Sequence, residues 1–121
     1  MLNKTRNCLL ALLIIVLFHP NAQAFTTYKL APNETIVLKN TLNRPISSYC
    51  LINAVSNVVN SISIYMLSGA GMFNGNSITP GQTLFENIYN TQYIPISANA
   101  YASARITNIG GYTVQAQCTL S

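Results

Sequence analysis

The stretch Thr113-Val114-Gln115-Ala116-Gln117-Cys118-Thr119-Leu120 sets apolar Val114, Ala116, Cys118 and Leu120 against polar Thr113, Gln115, Gln117 and Thr119. A period of two places successive side chains on opposite faces of a pleated strand, so this segment reads as an antiparallel strand with one face buried and one in water. The same alternation recurs upstream. Ile62, Ile64 and Met66 alternate with Ser61, Ser63 and Tyr65, and Ala102, Ala104 and Ile106 alternate with Ser103, Arg105 and Thr107. In Ile46 to Asn53, Cys50 and Ile52 take the inward positions, and further strands are expected over 26–30, 35–40, 83–89 and 93–98.

Between these runs stand Pro32-Asn33, Asn43-Arg44-Pro45, Gly69 to Asn76, Pro80-Gly81 and Gly110-Gly111, residues that set or tolerate turn dihedrals. No stretch of helical length shows an apolar face. Seven to eight short strands at regular spacing predict an all-β domain, an antiparallel β-sandwich with immunoglobulin-like or Greek-key connections. A small β-barrel is the alternative, because strand order is not written in a single sequence.

Ahead of the strands, Lys4 and Arg6 precede an apolar run from Cys8 to Phe18, then His19-Pro20 and Ala22-Gln23-Ala24. A basic segment, an apolar core of about 11 residues and a small-x-small site form the layout of a secretory signal peptide. The run is shorter than the roughly 18 apolar residues a membrane span needs. The expectation is a signal-peptide helix over 1–24, cleavage between Ala24 and Phe25, and a secreted or periplasmic β-domain over 25–121 with no membrane span of its own.

Cleavage removes the only His and one of the three cysteines, and the chain contains no Trp. The domain keeps Lys29, Lys39, Arg44 and Arg105 against Glu34 and Glu86. Four scattered cations are too few for a nucleic-acid surface. Without His or Asp the usual hydrolytic triads and two-His metal sites have no constituents. Glu34 and Glu86 fall in different strands without a flanking motif and read as solvated charges. The expectation is a protein that is not an enzyme, with no catalytic residues, no metal and no cofactor.

Two cysteines, Cys50 and Cys118, remain on inward strand faces. An even count in a small exported domain reads as a disulfide, and one intramolecular pairing exists.

Two features carry candidate recognition chemistry. In Ser68 to Ser77, the glycines lack the third glycine and following helix of a dinucleotide fingerprint. The segment is expected to be a long hairpin loop, with Met72 and Phe73 either exposed at its tip or packed back over an open end of the sandwich. Tyr65 and Tyr101, on outward positions by alternation, are the leading interface tyrosines.

The early LAPNETIVLKN, the first cysteine in PISSYC, the NGNSITPGQT turn and the closing ISANAYASARITNIGGYTVQAQC together resemble a group of small exported, single-disulfide, β-rich proteins of unknown function from intracellular bacterial pathogens. The resemblance implies an exported β-rich domain and transfers no functional residue. The leading expectation is a non-enzymatic module that binds a protein or surface partner. The alternatives are a structural or adhesin-like subunit and a small inhibitor of a secreted hydrolase.

Overall fold

The structure, a computed structural model, describes residues 25–120. The expected signal segment 1–24, with its cleavage site at Ala24, lies outside the described residues. Among those described there is no helix, and ten strands follow in order: β1 (Phe25–Leu30), β2 (Thr35–Lys39), β3 (Ile46–Asn53), β4 (Asn60–Ser68), β5 (Gly71–Phe73), β6 (Asn76–Ile78), β7 (Thr83–Ile88), β8 (Tyr93–Ala98), β9 (Ser103–Asn108) and β10 (Val114–Leu120). The two strands beyond the expected number, β5 and β6, come from the glycine-rich stretch.

The strands form a six-stranded sheet, β1-β10-β3-β8-β5-β6, and a four-stranded sheet, β2-β9-β4-β7. All pairings are antiparallel. The order has a simple generator. β1 pairs with β10, β2 with β9, β3 with β8 and β4 with β7. The chain is a two-stranded ribbon whose outgoing arm, β1 to β4, runs beside its returning arm, β7 to β10, and each successive strand pair passes to the other sheet. This is the Greek-key arrangement of a jelly roll. The β5–β6 hairpin caps the ribbon where it reverses, and β5 lies along β8.

The alternation seen in the sequence faces inward as expected, with Ile62, Ile64 and Met66 of β4 buried against Ile52, Ile94 and Val114 from the opposite sheet. Cys50 and Cys118 stand directly opposite each other in the β3–β10 pair and are joined by a disulfide, with Cα atoms 4.0 Å apart. The bond links neighbours within one sheet rather than the two sheets to each other.

Two corners are held by the same device. At the end of β2, Asn40 accepts the Leu42 N–H (2.9 Å) on its side-chain oxygen and donates through Nδ2 to the carbonyls of Arg44 (2.8 Å) and Asn99 (2.9 Å). At the end of β9, Asn108 accepts the Gly110 N–H (2.9 Å) and donates to the carbonyls of Tyr112 (2.8 Å) and Leu30 (2.9 Å). Each Asn thus shapes its own loop through residues two and four ahead, then ties that loop to a distant segment. Both are buried, so these bonds satisfy polar groups that water does not reach.

The turn between β7 and β8 carries a local cost. Thr91 has φ +65° there, in the left-handed region that a β-branched side chain disfavours. Asn tolerates that region, so Thr91→Asn is expected to stabilise the fold by about 1 kcal/mol. Thermal melts check this through a rise in Tm of about 4–8 °C for a domain of this size. An unchanged or lower Tm contradicts it.

Candidate functional site

The glycine-rich stretch is not a protruding loop. Asn74 and Gly75 have φ values of +52° and +84°, the paired left-handed conformations of a two-residue type I′ turn, for which Asn-Gly is a preferred sequence. The turn sets β5 against β6. Phe73 is then only 6 % exposed and belongs to the core, whereas Met72, one residue earlier and on the opposite face, is 43 % exposed. Of the two readings of this stretch, Phe73 follows the one that packs it back onto the sandwich rather than the one that exposes it at a tip, because the tip is Asn74-Gly75 and strand alternation turns Phe73 inward. The hairpin is fixed to its surroundings by the Asn74 N–H donating to the Pro95 carbonyl (2.9 Å) and by Asn76 Nδ2 donating to Glu86 Oε2 (3.0 Å). β5 needs Gly71 for a steric reason, since a Cβ there would stand 2.6 Å from the Ser97 carbonyl oxygen.

The two singled-out tyrosines lie on other segments than Met72. Tyr65 is on the outer face of the four-stranded sheet, half-buried, with the Arg105 guanidinium 5.4 Å from its ring centroid. Tyr101 is not on a strand: β9 begins at Ser103, and Tyr101 occupies the preceding turn with φ +58°. That turn is closed by the Ala102 N–H donating to the Asn99 carbonyl (3.0 Å), which is why the alternation of the following strand does not extend back to it. Tyr101 is 59 % exposed, as expected, though for a different structural reason.

Register assembles a patch that alternation does not reveal. On the outer face of the six-stranded sheet, Tyr49 of β3 is directly opposite Pro95 of β8, and Leu51 is opposite Tyr93. Met72 follows on β5, opposite Ser97. Tyr49 is 56 % and Tyr93 67 % exposed. On the other flank, β10 places Thr119 opposite Tyr49 and Gln117 opposite Leu51, so no charge interrupts this surface. The available signal was the phase of two strands: with Cys50, Ile52, Ile94 and Ile96 inward, Tyr49, Leu51, Tyr93 and Pro95 must point out. What brings them together is the pairing of β3 with β8.

The carboxylates do not share a site. Glu34 accepts the Ala31 N–H (2.8 Å) and closes the β1–β2 turn. Glu86, expected as a solvated charge, is instead half-buried in the middle of β7, opposite Ile62, and holds the hairpin through Asn76.

Between the sheets the interior is unevenly filled. Toward one end, Leu30, Ile52, Ile62, Ile88, Ile94 and Val114 close the space. Toward the other, where β2, β4 and β8 end and β3 and β9 begin, the inward positions include Ser48, Ala98, Ala102 and Ala104. Sheets stack roughly 10 Å apart whatever their side chains, so short residues facing one another leave a void. A cavity of about 280 Å³ occupies this end. A smaller one of about 50 Å³ lies toward the packed end and shares Tyr28, Leu38 and Phe73 with it.

No family model matches the chain, and no curated protein matches it. Among solved structures, a de novo designed double-stranded beta-helix is similar at 14 % identity over 81 % of this chain and 99 % of its own, with a TM-score of 0.28. The Yersinia pseudotuberculosis-derived mitogen is similar at 11 % identity over 83 % of this chain and 85 % of its own, with a TM-score of 0.36. At these scores neither likeness bears on what the chain does.

Proposed function

We propose that this protein is an exported binding module that engages a protein or surface partner through the outer face of its six-stranded sheet. The observation that carries the proposal is the Tyr49-Leu51-Tyr93-Pro95 patch, extended by Met72. Tyrosine offers a large, rigid contact area at low entropic cost, and charge-free cores rimmed by polar groups are typical of interface centres. The rim here is Gln117, Thr119 and Ser97. Export is supported by the signal-peptide layout of the first 24 residues and by the disulfide, which persists in oxidising compartments.

The test is affinity capture from medium and cell-envelope extracts, comparing the wild type with Tyr49→Ser plus Tyr93→Ser and with Tyr65→Ser. Hot-spot tyrosines contribute about 2 kcal/mol or more each, so the face variant is expected to lose its partners while Tyr65→Ser retains them. Equal capture by all three proteins overturns the assignment of the face.

A further inference from the structure

We infer that the cavity between the sheets is a second binding site, distinct from the tyrosine face, and takes one uncharged medium-chain aliphatic alcohol whose hydroxyl pairs with that of Tyr28. Protein interiors hold few voids larger than a water molecule, and unfilled ones destabilise the fold. This one is about 280 Å³. On the four-stranded sheet its wall includes Ala104, which stands in register between Leu38 of β2 and Met66 of β4. A larger side chain at that one position would reduce the void, yet the strand carries alanine.

The inward-facing residues set the ligand class. The deep wall is Ile64, Met66, Ile96 and Ile106 with the Cys50–Cys118 bridge, a surface with nothing to offer a polar ligand body. Among the described residues no charged side chain turns into it. Lys39 alone of the charged residues borders the cavity, and it stands between inward Leu38 and Asn40 on β2, so its side chain is on the outer face of the four-stranded sheet. An ionised ligand would lie there unpaired, at a cost that an apolar site does not repay. The inward polar groups Ser48 and Asn40 are already engaged, with the Thr119 carbonyl and with the loop after β2. Tyr28 is different. It shares the phase of buried Leu30 on β1, is half-buried on the cavity wall, and among the described residues its hydroxyl has no hydrogen-bond partner. Thr26, in the same phase, is exposed, which places the mouth between β1 and β2, each the outermost strand of its sheet. On the opposite flank the outermost strands β6 and β7 are tied by Asn76 and Glu86. From Tyr28 on β1 to Phe73 on β5 the wall crosses four strand spacings, roughly 19 Å, so the space is a slot along which a chain lies. An apolar slot with one free hydroxyl near its mouth matches an alkyl chain ending in a neutral oxygen. By size, an apolar cavity of about 150 Å³ accommodates benzene, so this one fits a chain of about eight to ten carbons.

The probe is 1-octanol, with octanoate as its charged counterpart and toluene as a hydrocarbon without oxygen, and binding is followed by titration calorimetry and by thermal shift on the oxidised protein at neutral pH. Wild type is expected to bind one octanol per chain, to melt at higher temperature in its presence, and to bind octanoate at least tenfold more weakly. Tyr28→Phe should weaken octanol about fivefold, the loss of one hydrogen bond, and leave toluene unchanged. Ala104→Ile and, from the opposite sheet, Ala98→Ile fill the slot; whichever is folded by its own melt should weaken octanol at least tenfold. The Tyr49→Ser plus Tyr93→Ser variant should bind octanol as the wild type does, which separates this site from the tyrosine face. Failure of wild type to bind octanol at millimolar concentration overturns the inference. So does octanoate binding equal to that of octanol, a Tyr28→Phe variant that binds octanol undiminished, or binding that survives the filled slot, which marks adsorption to the surface.

Discussion

Replacing Cys50 and Cys118 together by alanine is expected to lower the free energy of unfolding by about 4 kcal/mol, the chain-entropy value for a loop of this size. The two cysteines are 68 positions apart in sequence, and the loop they close holds every strand from β4 to β9. Because the bond joins strands that already pair within one sheet, its contribution to holding the folded sheets together is small. Its main effect is to restrict the unfolded chain. A domain of this size has a total stability of about 5–15 kcal/mol, so the loss is a substantial share. Urea titrations of the oxidised wild type, the reduced wild type and the double variant measure it. The last two should coincide within about 1 kcal/mol, because each lacks the tether. If the oxidised wild type also coincides with them, the disulfide has no energetic role in this fold.

Asn108→Ala is expected to cost about 3 kcal/mol although it deletes no apolar surface. The side chain is 0 % exposed, and its loss leaves the Leu30 and Tyr112 carbonyls and the Gly110 N–H without their partner. Each buried group stranded in this way costs about 1–3 kcal/mol, with the Tyr112 carbonyl at the lower end because its residue reaches solvent. Asn108→Asp separates the clamp from simple packing. The carboxylate keeps the bond from Gly110 but turns two donor positions into an anion facing two carbonyl oxygens, so the Asp variant should be less stable than the Ala variant at neutral pH. Equal melting temperatures for the two variants overturn the clamp, and so does retained hydrogen-exchange protection of the Gly110 amide in Asn108→Ala.

The strands were legible because each has one wet and one dry face, which writes a period of two into the chain. The disulfide was legible by elimination, since two inward cysteines leave a single pairing. β5 and β6 were not, because three residues are too few to display alternation and their glycines resemble a loop. The decisive sign was Asn74-Gly75, a dipeptide that asks for a type I′ turn and therefore for strands on either side. Tyr49 and Tyr93 were individually readable as outward, yet only the β3–β8 register makes them neighbours. Asn40 and Asn108 are two among many asparagines, and nothing local marks them as buried. The cavity is a property of facing pairs: Ala102 and Ala104 look like ordinary small strand residues until the opposite sheet shows what they fail to reach.

The ribbon pairing also governs when the fold can form. Each outgoing strand meets its returning partner in reverse order of synthesis, so β4 finds β7 first and β1 waits for β10. Pairings this distant in sequence are slow to close. Until β10 is made, β1 has no neighbour and Cys50 has no thiol opposite it. A polypeptide emerging from the ribosome therefore cannot complete either flank of the ribbon until its last strand has been made. The oxidation that joins Cys50 to Cys118 falls at the close of that sequence, as a record that the ribbon has wound correctly.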